Sequence, residues 1–498
     1  MSRNISSPDV ALHYDSRAWS YATDPPFHPQ IRYPEYDGPL SRSGTPNAAY
    51  DAVRETLHLL QLEDARYGRV DWNPLGQFVS PGQMVAIKPN LVINRHLRGG
   101  SLNSVVTHGS VIRAVVDYVC LALQGRGRIV IGDAPLQMAD FDAICECNGL
   151  HEISHYAQAT YGVDVDIVDF RRVRAVTDRG HVVRVEERDG DPHGYLIVDL
   201  AEASMLAPVS ESSDRYRITC YDADAVGQHH NEHKNEYLVS GSILQADCVI
   251  SISKLKTHRK AGLTAALKNV VGINGHKDWL PHHRCGATKE RGDEYLHASV
   301  SKRLSARLAE QALQSRPELR RALGTLSVAA GAAAKRLGRD PYTEGSWYGN
   351  DTLWRTVLDL NRLLLYADRE GALRSNVQRN CLHLVDAIIA GEGEGPLEPN
   401  TKVCGMMLGG FSPVAIDTVA AGMMGFDFRK IPTVFQGYEI REFPLADFAP
   451  ELVRVHSNQS EFDGLDAMAP EPSFHFRPTA GWRGHIERDE VEAFLLQQ

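Results

Sequence analysis

Short apolar runs alternate along this chain with segments of helical spacing, and that alternation leaves few folds open. Residues 84–87 (MVAI) read as a buried strand running into Lys88, Pro89 and Asn90. Residues 110–123 then carry apolar side chains at helical spacing, 128–131 (RIVI) read as a second strand leading to Asp133, and 141–150 as a short helix. A third strand covers 163–170, and the rhythm returns at 248–253, 382–390 and 402–408 before a helix at 413–424. Short apolar strands separated by helices belong to a parallel sheet buried on both faces. The expected fold is therefore α/β: an open, mostly parallel sheet with helices on both faces.

Two stretches break the rhythm. Residues 171–245 alternate apolar and polar side chains (HVVRVEE, GYLIVDL, EYLVSG), the pattern of antiparallel or edge strands. Residues 298–380 have helical periodicity and read as an insertion. The expected organisation is an N-terminal extension at 1–75, an α/β core at 76–297 with its β elaboration at 171–245, a helical insertion at 298–380, a return to the core at 381–440, and a C-terminal extension at 441–498.

A net charge of −10 argues against a nucleic-acid coat, which needs a basic surplus. No stretch reaches the roughly 18–20 apolar residues of a membrane span, the best, 326–334, being short and rich in Ala. The first residues, MSRNISSPDVALHYDS, lack the basic-then-apolar order of a secretory signal, so a cytoplasmic location is expected. The eight cysteines include no CxxC pair, so no iron–sulfur cluster is expected and the thiols read as structural.

Against that acidic background, residues 253–286 (SKLKTHRKAGLTAALKNVVGINGHKDWLPHHRCG) gather Lys254, Lys256, His258, Arg259, Lys260, Lys268, His276, Lys277, His282, His283 and Arg284 directly after an apolar strand. In an extended segment Lys254, Lys256 and His258 share one face, where like charges repel unless an anion or carboxylates lie among them. Gly262 permits a turn, and the spacing predicts a helix over 264–270 that carries Thr264 and Lys268 on one face. Strand, glycine turn and helix N-terminus together form a candidate anion seat, although no Walker loop is present. Ligands of parallel sheets bind beyond the carboxyl ends of the strands, and there Lys88, Asn90, Asp133 and Asp386 also fall.

The acidic partner is HLVDAIIAGEGEGPLEPN at 383–400, where Asp386, Glu392 and Glu394 are available to neutralise lysines, bind a divalent metal or take a proton. The candidate set is Lys256, His258, Lys268 and Glu392 for catalysis. Lys88, Asn90, Lys254, Thr264, Asn269, His108, His282 and His283 would bind substrate, and Asp386, Glu392 and Glu394 a metal. His108 has a plainer reading as a helix cap, and Asp417 as dipole compensation in the first turn of its own helix. His229 to His233 have the H-x-x-E-H order of inverted zinc peptidases, but their flanks read as strand rather than the helix such ligands require.

Taken in order across roughly residues 84–426, the pieces VAIKPNLV, THGSVIRAVVDYV, IVIGDAP, CVISISKLKTHRKAGLTAALKNVVG, HLVDAIIAGEGEGP and SPVAIDTVAAGMMG resemble a bacterial and archaeal family known as domain of unknown function 362. The segment GINGHKDWLPHHRCG is similar to a subgroup found beside surface-polysaccharide genes. The family is itself distantly similar to the N-terminal domain of lactate racemases, which implies an α/β domain handling small hydroxy acids. No lysine of this sequence is matched to the pincer-cofactor lysine of those enzymes, so that cofactor is not carried over, and the ferredoxin-type cysteines of some relatives are absent.

Residues and resemblance together favour an enzyme acting on a small anionic metabolite, such as a sugar acid, sugar phosphate or hydroxy acid. Proton transfer of isomerase or lyase type suits a Lys, His and Glu set without an evident nucleophile. The alternatives are a non-catalytic binding or assembly module in a glycan pathway, and a redox or metallocluster protein. Oligomeric state is not written in the sequence.

Overall fold

The computed structural model describes residues 3–178, 181–218, 223–297, 300–315, 319, 322–327, 329–331, 342–468 and 470–489. Among these residues nine strands form the central sheet: β1 (Asp9–Tyr14), β2 (Met84–Pro89), β3 (Arg128–Asp133), β4 (Asp164–Asp169), β5 (Cys248–His258), β6 (Gly262–Thr264), β7 (Asn380–Glu392), β8 (Asn400–Gly410) and β9 (Arg454–Ser457). Their order is β9-β1-β8-β7-β5-β2-β3-β4, with β6 folded back onto the end of β5. The pairs from β7 through β5, β2 and β3 to β4 are parallel, whereas β8 runs antiparallel to both β7 and β1.

Side chains alternate between the faces of a strand, and both faces are filled. Val85, Ile87, Ile129, Ile131, Ile250, Ile252, Leu382 and Leu384 pack into one core with α1 (Ala48–Leu59) and α2 (Gly109–Leu123). Ala86, Val130, Val249, Cys381 and Val385 face the opposite core, with α3 (Leu353–Tyr366) and α4 (Pro413–Met423). The crossover from β2 to β3 therefore runs through α2 on one face, and that from β5 to β7 through α3 on the other. The direction of winding reverses between β2 and β5. A crevice opens at such a switch point, at the carboxyl ends of the strands.

The interrupting stretches take the expected secondary structure in part: 171–245 holds the antiparallel pairs but also the helical segments Ala207–Arg215 and Ala223–His229. Tyr195–Asp199 pairs antiparallel with Lys234–Ser240, and Val173–Asp178 with His181–Glu187. In the helical stretch, Val300–Gln314 and α3 are helices, while residues 332–341 lie outside the described residues. Strand β1 had no clear signal within the Pro- and Tyr-rich first 75 residues. It is nonetheless an inner strand, hydrogen-bonded to β8 on one side and β9 on the other.

Candidate functional site

Lys88 is the last residue but one of β2 and Asp133 the last of β3, and the parallel register brings them together: Lys88 Nζ lies 2.8 Å from Asp133 Oδ1 with both side chains buried. Lys88 also donates to Asn269 Oδ1 at 2.9 Å and to the Pro89 carbonyl at 3.0 Å. Burial pulls the Lys88 pKa down, and the Asp133 carboxylate pushes back. Gly272 lies against this pair. A Cβ there would stand 1.8 Å from Asp133 Oδ1 and 2.6 Å from Lys88 Nζ, so only glycine fits.

Asn269 ties the network together. Its Oδ1 accepts from Lys88 and, at 3.1 Å, from Asn90 Nδ2, and its own Nδ2 donates to the Lys88 carbonyl at 3.1 Å and to Ser251 Oγ at 2.9 Å. Asn90 in turn accepts from Lys256 Nζ at 2.8 Å, a bond that spans the switch point from β5 to β2. Lys256 also donates to the Val105 carbonyl. Both acceptors are neutral. Burial, with Lys254 and Lys268 nearby, drives the Lys256 pKa well below its ordinary value.

Lys254 has a different fate. A shift in register between Lys254 and Lys256 bends β5 against β7, and Lys254 Nζ donates to Asp386 Oδ2 at 2.6 Å, to Tyr21 Oη at 2.8 Å and to the Ile389 carbonyl at 3.1 Å. Tyr21 Oη donates to Asp386 Oδ1 at 2.5 Å. All three side chains are buried, so this is a closed structural triad with no donor left for a ligand. His108 stacks on the Tyr21 ring at 4.3 Å, and its Nδ1 accepts from Ser110 N at 3.1 Å as the cap of α2. Burial and Lys254 push the His108 pKa down to about 3.

Of the remaining cations of 253–286, Arg284 pairs with Asp351 at 3.0 Å, whereas two lysines stand apart from any counter-charge among the described residues. Lys268 and Lys277 have no carboxylate within ion-pair distance among the described residues, and neither amine makes a hydrogen bond there. The Lys268 pKa falls to about 7, through burial and then through Lys277 and Lys88. That of Lys277 falls to about 8, chiefly by burial, against the pull of Asp133. Burial, Lys268 and Arg259 keep His258 neutral, and its Nδ1 accepts from the Lys260 and Ala261 amides at 3.1 and 3.2 Å. Burial, Lys260 and Lys268 keep His282 neutral, its Nδ1 donating to the Leu280 carbonyl at 2.7 Å. The buried Thr264 Oγ1 and His283 Nδ1 have no hydrogen-bond partner among the described residues. Several amines and idle hydrogen-bonding atoms thus share one largely buried region.

Three local expectations are corrected. Thr264 is not on a helix with Lys268. Gly262, at φ +80°, reverses the chain so that Gly262–Thr264 returns along β5 with Thr264 opposite Lys256, and the helix is confined to Ala266–Asn269. The N-terminus of that short helix is not an anion seat, because Asp417 already occupies it, accepting from Ala266 N at 2.7 Å and Leu267 N at 3.2 Å. Asp417 accordingly serves this helix rather than its own, and burial raises its pKa to about 8.

The three carboxylates assigned to a metal do not come together. Asp386 is held by Lys254 and Tyr21, Glu392 by Arg477 at 2.8 Å and Lys402 at 3.5 Å, and Glu394 by the Ala480 amide at 2.8 Å. These donors do not fit a metal ion, and no group of three His, Cys, Asp or Glu side chains placed for one occurs among the described residues. Glu392 and Glu394 instead anchor the segment around Arg477 and Ala480. The flank before His229 is the helix Ala223–His229 rather than the expected strand, but it ends there and His233 lies beyond it in a turn, so the three histidines do not share a helix face. His229 stacks on Trp279 and pairs with Glu236 at 2.9 Å, and His230 bonds the Trp279 carbonyl at 2.7 Å. Sequence reasoning missed Tyr21, which no local pattern marks, and Gly272, whose role depends on a contact with residues far away in the chain.

Sheet and site together define an α/β protein with a largely buried, lysine-rich network at the switch point of its sheet. The chain belongs to the family described as Domain of unknown function (DUF362), whose profile matches residues 85–188 and 172–422. It is 25% identical over 223 residues to a thylakoid-associated protein of Synechocystis sp., across 45% of this chain and 49% of that protein, so it spans about half the length of the curated relative. A crystal structure of a Thermotoga maritima protein aligns over 74% of this chain and 58% of its own, at 8% identity and a TM-score of 0.29. No helix among the described residues is long and apolar enough to cross a membrane.

Proposed function

We propose that this chain is a cytoplasmic enzyme that binds a small anionic metabolite, a sugar acid, sugar phosphate or hydroxy acid, and moves a proton on it in isomerase or lyase fashion. One observation carries the reading: the buried Lys256 and Lys277 and the partly accessible Lys268 are gathered in one region, and none has a carboxylate within ion-pair distance among the described residues. Ammonium groups withdrawn from water cost several kcal/mol each unless paired, and an anion supplies the missing charge. Lys256 and the Thr264 hydroxyl would hold the anionic group. Lys268 and Lys277, at about 7 and about 8, are poised between charged and neutral near physiological pH, the condition for a general base. A charged neighbour would then stabilise the enolate that forms when a proton leaves the carbon beside a carbonyl.

Thermal-shift screening of the full chain against sugar acids, sugar phosphates and hydroxy acids tests the binding step. A ligand at 100 times its Kd should stabilise by about 2.7 kcal/mol. Exchange of a carbon-bound proton of that ligand in heavy water, followed by NMR, tests the chemistry. Stabilisation without exchange would leave a binding module, and a flat screen across all three classes would end the reading.

A further inference from the structure

The lysines at this sheet edge divide sharply by what their amines do. Lys88, Lys254 and Lys256 are each fixed by hydrogen bonds, two of them also by an Asp at ion-pair distance. The Lys268 amine has no such partner among the described residues. Lys268 is also the lysine of 254–277 that keeps a partly accessible surface, its companions Lys254, Lys256, Lys260 and Lys277 being buried. Its backbone is nonetheless held firmly, because the next residue, Asn269, is anchored through four side-chain hydrogen bonds and the helix start is tied to Asp417. A fixed root, an unpartnered amine on a partly accessible side chain and cationic neighbours suit a nucleophile better than an anion clamp.

We propose that Lys268 forms an imine with a carbonyl-bearing anion, an oxo acid or an oxo phosphate. The inference rests on the anion-binding reading above and narrows its substrate to carbonyl compounds. The Lys268 Nζ lone pair adds to the carbonyl carbon while the C=O π electrons move to oxygen, which takes a proton. The carbinolamine then loses water as the C=N bond forms. The protonated imine withdraws electrons from the adjacent carbon, so its C–H proton passes to the neutral amine of Lys277. The electrostatic neighbours that favour a neutral Lys268 are Lys277, Lys88 and Lys260, against Asp133.

Borohydride trapping on the full chain tests this, with pyruvate as the oxo acid and dihydroxyacetone phosphate as the oxo phosphate. Reduction fixes the imine as a secondary amine, adding the mass of the carbonyl compound less one oxygen. The expected result is a single adduct mapping to Lys268, absent from Lys268→Arg and Lys268→Gln. Its yield should level off above about pH 8, whereas an ordinary lysine with a pKa of about 10.4 gains about tenfold per pH unit through that range. This profile is read on the unaltered chain and does not depend on a variant folding. A probe that raises Tm but leaves Lys268 unmodified, or adducts spread over other lysines with the ordinary profile, overturns the imine and leaves anion binding standing. A probe set that neither stabilises nor labels, together with a flat screen of the other anions, overturns both.

Discussion

Lys254 and Asp386 are each fully buried and serve as each other's counter-charge. Removing one partner leaves an uncompensated buried charge, so Asp386→Ala should lower stability by about 3–5 kcal/mol. Tyr21→Phe removes a single hydroxyl from the same triad and should cost less, about 1.5–3 kcal/mol, as for hydrogen bonds to charged groups. Urea denaturation of the three proteins orders them, and a Tyr21→Phe loss as large as that of Asp386→Ala would contradict the triad. Titration follows from the same buried groups. Lys268 titrates near 7 in the fold but near 10.4 when unfolded, so between those values the unfolded chain binds more protons and stability rises with pH. Asp417 has the opposite sign: at about 8 in the fold against an ordinary 3.8, it makes the fold bind more protons between those values, and stability falls as pH rises. Because buried histidines titrate in the acid range as well, each effect is read as a difference. Lys268→Met should remove a rise above pH 7, and Asp417→Asn a fall below pH 8, in denaturation midpoints taken across pH at fixed temperature.

At the scale of elements, the stretch from Val270 to Ile273 is pressed against the ends of β2 and β3, and the Gly272 carbonyl accepts from Ala134 N at 2.9 Å. Gly272→Ala would place a methyl against both Asp133 and Lys88. It should cost about 1–3 kcal/mol in overpacking, and it should weaken the thermal shift given by an anionic ligand, because Lys88 and Asn269 share one network with Lys256. An unchanged ligand response with normal folding would show that the two ends of the network are independent. These contacts explain what the sequence could and could not reveal. The strands β2, β3, β5 and β7 were legible because each is a short apolar run, and apolar strands with helical crossovers admit few arrangements. The placing of Lys88, Asn90, Lys254, Lys256 and Asp386 at one sheet edge followed from that. Which lysine is paired and which is free did not, because pairing depends on register and on Tyr21 arriving from an unpatterned segment. Likewise the helix expected from 264 shortened because Gly262 turned the chain into a return strand, a choice made by the unpaired edge of β5 rather than by helical spacing.

Across the whole molecule, the sheet is closed on one side by the two ends of the chain. Strand β1 inserts between β8 and β9, with Val10, Ala11 and Leu12 fully buried, and a few residues later Tyr21 reaches the Lys254–Asp386 pair. The N-terminal segment therefore serves the core twice, by supplying an inner strand and by satisfying a buried ion pair. Deleting residues 1–22 would strip β9 of its partner strand, expose the backbone hydrogen-bonding edge of β8, and leave a lysine and an aspartate short of a hydroxyl. An exposed strand edge is a template for association, so the shortened chain should aggregate or lose its cooperative unfolding transition. Two substitutions in the full chain separate the contributions: Val10→Asp attacks the strand alone, and Tyr21→Phe the site alone. Size-exclusion chromatography and thermal unfolding should find Val10→Asp close to the deletion and Tyr21→Phe close to the unaltered chain in oligomeric state. A deleted chain that remains monodisperse and unfolds in one sharp transition would show that β1 decorates the sheet rather than completing it.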